Sequence, residues 1–576
     1  MYIKSNHHFY FLYWLGIFFL ICLFMSPIGL FISCAPNSKI NVTLLPSYKH
    51  TFSNAQSIKF EATGDFSDSP IYSERIDISK KYTSLNSFMI DTKAQNQFIE
   101  LRAFVLDEQN KQIGFGQTLL PFVSREISRT LLLTPTNNFG WLTKLEGGSQ
   151  AYLPQGLIGH RAVALSNGEI LIVGGAKNIS GYRGIYTVAQ SSDMQANLLL
   201  YNPQSGEIED LRISLGNPRL FHSATLLKDG RVLIAGGLGF ISGGLSPLKS
   251  VELYHPTSRS LTNLAPIQEA RAFHSATLIE DNEVLIIGGF SQTLNLKPKD
   301  PTEWVGHLVT AIESYNLGDS SKPQQVGTLR AFVDEYDCLC AGSNANCGKV
   351  DSRFLHQAVR LTADLVLISG GLQFDTNGER VTPDYNYILR RSGGNCWRPE
   401  KIKKTVSQRY EHTASIIQDN QNTWAIILGG RDASDNLASS IEIWDSGGNL
   451  ISTDNRLSPL RYGHAAMALP NHQLLVVGGL DAEHKANQGA TLYQFSSSGG
   501  LANIEPLSLP NEPKLLEQRG RFMPILASST ADQRVLIFGG SSVEGDPKAK
   551  DPILEFTGLR SVEIYTPLQT ERDKNN

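Results

Sequence analysis

Seven Gly-Gly doublets of this chain of 576 residues end an aliphatic strand: Gly174-Gly175, Gly236-Gly237, Gly288-Gly289, Gly370-Gly371, Gly429-Gly430, Gly478-Gly479 and Gly539-Gly540. Each closes the same phrase, which runs from an Arg or His through a short alternating stretch to an aliphatic strand. In the second copy it reads Arg219-Leu220-Phe221-His222-Ser223-Ala224-Thr225-Leu226, then Lys228-Asp229-Gly230, then Val232-Leu233-Ile234-Ala235 before the doublet. A unit this small cannot bury its own apolar face, so its repetition dictates stacking of neighbouring copies around a shared core.

The periodicity within a copy is that of strands. His222, Ala224 and Leu226 alternate with Ser223, Thr225 and Leu227, and Asp229-Gly230 is a tight-hairpin signal. Val232 to Ala235 reads as a buried second strand, ended by glycines where a side chain would obstruct close backbone approach. A third strand carries Glu and an aromatic two apart, as in Val251-Glu252-Leu253-Tyr254, Ile312-Glu313-Ser314-Tyr315, Ile441-Glu442-Ile443-Trp444 and Val562-Glu563-Ile564-Tyr565. Looser copies pass through Tyr201, Tyr387 and Tyr493, and a fourth strand is suggested by Leu261-Thr262-Asn263-Leu264 and by Trp397.

With its upstream Arg-x-x-His and downstream Glu-x-Tyr, the doublet resembles the kelch repeat over roughly residues 140 to 567. That resemblance implies an all-β fold, a seven-bladed kelch β-propeller with four strands per blade. His160, His222, His274, His356 and His464 each stand fourteen residues before a doublet, and His412 seventeen before its own. The first copy has Leu157 where Arg is expected, and the seventh keeps Arg521 but has Pro524 in place of His. The last blade lacks a fourth strand of its own. The segment Gly140-Trp141-Leu142-Thr143-Lys144-Leu145 is expected to supply it and leave no open sheet edge.

The domains expected are a leader over 1–33, a small β-sandwich over 34–138, the repeat region over 139–567 and a tail over 568–576. Strand-like alternation at Ile40–Leu44, Ile58–Ala62, Phe98–Val105 and Thr130–Leu133 supports the sandwich. The leader is apolar from Phe9 to Phe31, with no formal charge between Lys4 and Lys39. Leu30-Phe31-Ile32-Ser33-Cys34 is similar to a bacterial lipobox, which implies lipid attachment at Cys34. The expected localisation is then the bacterial cell envelope, as a membrane-anchored lipoprotein facing the periplasm or the exterior. An uncleaved anchor or a plain signal peptide would export the chain as well. The formal charge of −4 and the lack of a basic stripe exclude nucleic acid as an expected partner.

In four-stranded antiparallel blades, the second-to-third loops and the blade-to-blade crossings share one face. The long insertions at 176–197, 290–309 and 541–560, and the crossing at 317–352, therefore fall together. The motif arginines Arg219, Arg271, Arg353, Arg409, Arg461 and Arg521 begin the innermost strands and are expected to open onto that face. In kelch domains that bind acidic peptides, equivalent positions contact carboxylates, and the guanidinium fork suits them. The alternative is that these arginines pair with strand glutamates or carbonyls to stitch the ring. The motif histidines are spread one per blade and are expected to be structural, so no metal site or cofactor is expected.

Cys338, Cys340, Cys347 and Cys396 are an even set in an exported chain, which favours two disulfides. Either Cys338 or Cys340 would bond Cys347, leaving the other for Cys396, and a four-Cys metal site is the alternative. No hydrolase triad or nucleotide loop is present. Two sugar-acting kelch enzymes resemble the layout: a galactose-oxidase-like copper enzyme and a sialic-acid epimerase-like enzyme. The function expected first is instead a lipid-anchored binding or scaffold protein, not an enzyme, holding a protein or glycan on the insertion-bearing face.

Overall fold

The computed structural model describes residues 38–567 apart from 47–51, 53, 65–71, 78–86, 93–97, 122–126, 183, 281, 293–306, 310, 318–327, 332–352, 392–396, 403–406, 420–421, 455–456, 470, 510–511, 521–524, 529–533 and 545–552. Among these residues the chain is all-β, with one three-residue 3-10 turn at Ser191–Asp193.

Each doublet belongs to its own antiparallel sheet of four principal strands. In the second, Ser223–Leu226, Val232–Ala235, Val251–His255 and Ser260–Leu264 lie side by side in chain order. The second strands are buried along their whole length or all but their first residue, as at Ile170–Val173, Val232–Ala235 and Gln473–Val477. Their near-continuous aliphatic sequence follows, because each sheet is packed on both faces. Leu233, Val251 and Leu253 of the second sheet share a core with Val284, Ile286 and Tyr315 of the third. Ile170, Ile172 and Leu199 of the first do the same with Leu536 and Phe538 of the seventh.

The first strands form a closed circuit. Arg161–Ala164, Ser223–Leu226, Ser275–Glu280, Gln357–Thr362, Thr413–Gln418, Ala465–Leu469 and Ile525–Ser528 each lie against the next, and the last lies against the first. The seventh sheet is completed from upstream: Asn138–Trp141 pairs with Val562–Thr566, with Trp141 opposite Glu563 and Phe139 opposite Tyr565. The strand sits two residues before the expected segment. Beyond Leu142, whose N–H still reaches the Val562 carbonyl (2.9 Å), the backbone turns away, Thr143 bridging Gln150 and the Leu145 N–H reaching Ser205.

The segment 317–352 is not one crossing loop. Thr328–Ala331 within it is the fourth strand of the third sheet, opposite Ile312–Asn316. The two other long insertions with described strands pair with each other. Asn178–Tyr182 and Ile185–Thr187 of the first sheet join Ser541–Glu544 and Leu554–Gly558 of the seventh in an additional four-stranded sheet. Shorter hairpins, Leu238–Ile241 with Gly244–Pro247 and Gln373–Phe374 with Arg380–Val381, rise from the second and fourth.

Residues 38–135 form a seven-stranded sheet folded over on itself. Among the described residues its two portions are paired through Gly114 opposite Pro135 and Phe115 opposite Thr134. Val42, Leu44, Leu131 and Leu133 from one portion share a core with Ile58, Phe60, Leu101 and Val105 from the other. Its last strand, Ile127–Pro135, leads directly into Asn138–Trp141, and Asn137 N–H donates to the Thr566 carbonyl at 2.7 Å.

Candidate functional site: the ring axis and its cover

The doublets join one sheet to the next. Gly236 and Gly237 have φ of 60° and 98°. A Cβ on Gly236 would stand 2.6 Å from the Arg271 carbonyl oxygen, and one on Gly237 2.7 Å from His222 Cβ. With no side chain there, the Gly237 N–H donates to the Arg271 carbonyl of the following sheet at 2.9 Å. The same bond recurs from Gly175 to Arg219 (2.8 Å), Gly289 to Arg353 (2.8 Å), Gly371 to Arg409 (2.9 Å), Gly430 to Arg461 (3.0 Å) and Gly479 to Arg519 (3.2 Å). Gly540 to Leu157 (3.3 Å) links the seventh sheet back to the first.

The motif arginines are inside the wall and do not line an open face, which corrects the expectation that they meet a ligand. Arg219, Arg271, Arg353, Arg409 and Arg461 are at most 1% exposed. Arg409 bonds Glu442 at 2.9 Å and the carbonyls of Gly429 (3.2 Å) and Ser440 (3.1 Å). Arg219 pairs with Glu252 and Arg271 with Glu313 in the same manner. Each fork thus ties the end of its second strand to its third, and burial draws all three guanidiniums below their ordinary pKa while the glutamates oppose the shift. Arg521 lies outside the described residues. The arginine that performs this role in the seventh sheet is Arg519, bonded to Glu563 (2.9 Å) and to Ser561 Oγ (2.9 Å).

The exceptions confirm the pairing role. Where Arg is replaced by Leu157, the glutamate position two before Tyr201 is Leu199, and both leucines are fully buried in one cluster. In the fourth sheet the glutamate position is Tyr385, and Arg353 lies over the rings of Tyr385 and Tyr387 at 5.2 and 5.0 Å. In the sixth it is Thr491, 3.4 Å from Arg461. Without a carboxylate, burial draws Arg461 down to about 10, with Tyr493 opposing.

Four of the six motif histidines latch their sheet to the one before. His274 bonds Ser223 (3.0 Å), His356 bonds Ser275 (2.8 Å), His412 bonds Ser369 (2.8 Å) and His464 bonds Thr413 (2.9 Å). Burial, reinforced by neighbouring arginines, lowers the pKa of His160, His356 and His464 to about 3, so the rings are neutral. Among the described residues no cluster of three or more metal-ligating side chains occurs.

Inside the circuit of first strands lies a cavity of about 200 Å³, lined among others by Arg161, Phe221, Phe273, Leu355, Gln357, Glu411 and Thr413. One mouth is covered by the insertion of the first sheet. Its turn at Gly184 sits against Leu355, Leu372 and Tyr410 of the fourth and fifth sheets, so the hairpin spans the axis. Tyr186 packs its ring among Phe221, Phe273 and Phe556, with centroids 5.8, 5.7 and 6.5 Å away. Its hydroxyl donates to Glu411 at 2.6 Å. Glu411, at φ 55°, also accepts from Arg431 (3.2 Å), which bonds Asp435 (2.7 Å), which accepts from Arg380 (3.0 Å). This network lay beyond the sequence reading, because its members sit in insertions and at non-motif positions.

Cys34, Cys338, Cys340, Cys347 and Cys396 lie outside the described residues. No helix among the described residues is long and apolar enough to cross a membrane.

No protein-family model and no curated protein matches the chain. Among solved structures, one titled "Structure of YjhT" is similar at 17% identity and a TM-score of 0.40, covering 62% of this chain and 99% of that one. A likeness this loose carries no argument about fold or function.

Proposed function

We propose that this chain is an exported, envelope-anchored binding protein built on a seven-bladed kelch β-propeller. Asn138–Trp141 closes the ring, and the insertion-bearing face holds a protein or glycan. The observation that carries this reading is the way insertions of the first and seventh sheets pair into one sheet held across the axis. Such a preorganised platform loses little conformational entropy on binding a large partner. Six of the seven large apolar side chains exposed among the described residues, Tyr152, Ile241, Val381, Leu460, Leu516 and Ile553, lie on the segments of that face. Spaced between polar residues, they suit anchor positions of a macromolecular interface.

The lipid at Cys34 and two disulfides among the remaining cysteines belong to the same proposal. Crosslinking on intact cells followed by mass spectrometry is the test. The native chain is expected to capture a partner that Val381→Asp with Ile553→Asp loses. Capture undiminished by both substitutions sinks the face assignment. Turnover of galactose or N-acetylneuraminate by the purified protein would replace the binding role with an enzymatic one.

A further inference from the structure

The residue after the motif histidine is uncharged in six repeats: Ser223, Ser275, Gln357, Thr413, Ala465 and, after Pro524, Ile525. In the first repeat it is Arg161. This guanidinium lines the axial cavity and is exposed there, and the surrounding walls lower its pKa with no carboxylate opposing the shift. Its surroundings are incomplete in a second respect. His274, His356, His412 and His464 each bond a hydroxyl of the preceding sheet. His222, whose preceding sheet offers Arg161 at the corresponding place, is fully buried with neither ring nitrogen hydrogen-bonded.

The cavity's carboxylate does not answer this charge, since Glu411 is held by Tyr186 and Arg431. A cation facing a cavity with no counter-charge of its own is open to an anionic ligand. Beside it the wall is apolar, formed by Phe221, Phe273 and Leu355.

We infer that the ring axis is a binding site for a small monocarboxylate, with its carboxylate on Arg161 and its apolar body against Phe221, Phe273 and Leu355. The planar fork of a guanidinium matches a carboxylate in two parallel bonds. A volume of about 200 Å³ is below the roughly 300–1,000 Å³ of sites for drug-sized ligands, which limits the occupant to a short acid. With the Tyr186 hairpin over one mouth, the acid enters from the face of the short first-to-second turns. This site is independent of the macromolecular partner proposed above.

The test is calorimetric titration of the full chain in detergent with butanoate and benzoate, their amides as uncharged isosteres, and inorganic phosphate. Both acids are expected to bind at least about tenfold more tightly than the amides, and phosphate not to compete. Arg161→Ser, which installs the residue found in the second and third repeats, should abolish binding and leave the unfolding temperature little changed. Arg161→Lys keeps the charge without the fork and should weaken binding several-fold. The inference is overturned if no acid binds, if the amides bind equally, if phosphate displaces the acids, or if Arg161→Lys binds like the native chain. Val381→Asp with Ile553→Asp should leave these titrations unchanged, which separates failure of this site from failure of the insertion face.

Discussion

Replacing Arg271 by leucine removes one half of a buried pair and leaves Glu313, fully buried, with a charge facing no cation. Breaking such a pair costs about 3–5 kcal/mol, a large part of the roughly 5–15 kcal/mol that holds a typical domain. Glu313→Leu should cost about as much, since it strands Arg271 and removes the acceptor for the N–H groups of Gln268 (2.8 Å) and Glu269 (3.3 Å). Arg271→Leu together with Glu313→Leu imitates the natural Leu157 and Leu199 of the first sheet. The double change still loses the bonds from Arg271 to the carbonyls of Gly288 (3.2 Å) and Ala311 (3.1 Å), each about 1 kcal/mol. It leaves no buried charge, however, so it should cost less than the two single changes added together, by at least about 2 kcal/mol. Urea unfolding followed by tryptophan fluorescence and by far-ultraviolet circular dichroism measures all four proteins, and coincident transitions license the comparison. Additivity within about 0.5 kcal/mol, or single changes costing no more than a surface substitution, would refute the assignment of these arginines to the wall.

The neutral histidines make stability depend on acid. In the folded state burial holds His160, His356 and His464 near 3, against 6.5 when unexposed to the fold. The unfolded chain therefore takes up the protons first. Stability is complete above pH 6.5 and falls as the pH drops toward 3, by up to about 1.4 kcal/mol per pH unit for each histidine. Urea midpoints measured through that window should decline, and His356→Gln should flatten the decline; a midpoint insensitive to pH there contradicts the neutral assignment. Gly237→Ala places a Cβ 2.7 Å from His222 Cβ at φ 98°. It should destabilise by more than the roughly 1–3 kcal/mol of backbone strain alone, read as a lowered unfolding temperature, and an unchanged temperature counts against the inter-sheet clasp.

Much of the ring was legible because the same contact is made seven times. The doublet, the arginine and the glutamate recur at matched intervals, and the structure joins them. Their joint absence in the first copy, Leu157 with Leu199, stands in the sequence, but only the packing of both in one cluster marks them as partners. Counting back three residues from Pro524 led to Arg521, but the seventh copy is longer, and Arg519 stands twenty residues before Gly539 as Arg409 does before Gly429. Thr328–Ala331 was hidden inside a loop because four residues with no motif carry no periodicity. Tyr186, Glu411 and Arg431 meet through long-range packing of an insertion, and no local pattern encodes that. Arg161 follows the histidine that drew attention, and its meaning emerges only from the six uncharged residues that occupy its place elsewhere.

Closure by Asn138–Trp141 has a consequence for how the chain comes to be made. Its partner, Val562–Thr566, is synthesised roughly 420 residues later, a delay of tens of seconds at about 5–20 residues per second. Throughout that interval the growing chain carries a strand whose hydrogen-bonding edge has no mate. Six sheets can assemble in order behind the ribosome, but the circle is joined in a single late event that requires both extremities of the repeat region. A polypeptide released part-way through synthesis would therefore remain an open arc, with Phe139 and Trp141 presented to holding chaperones or to the edge of another incomplete copy.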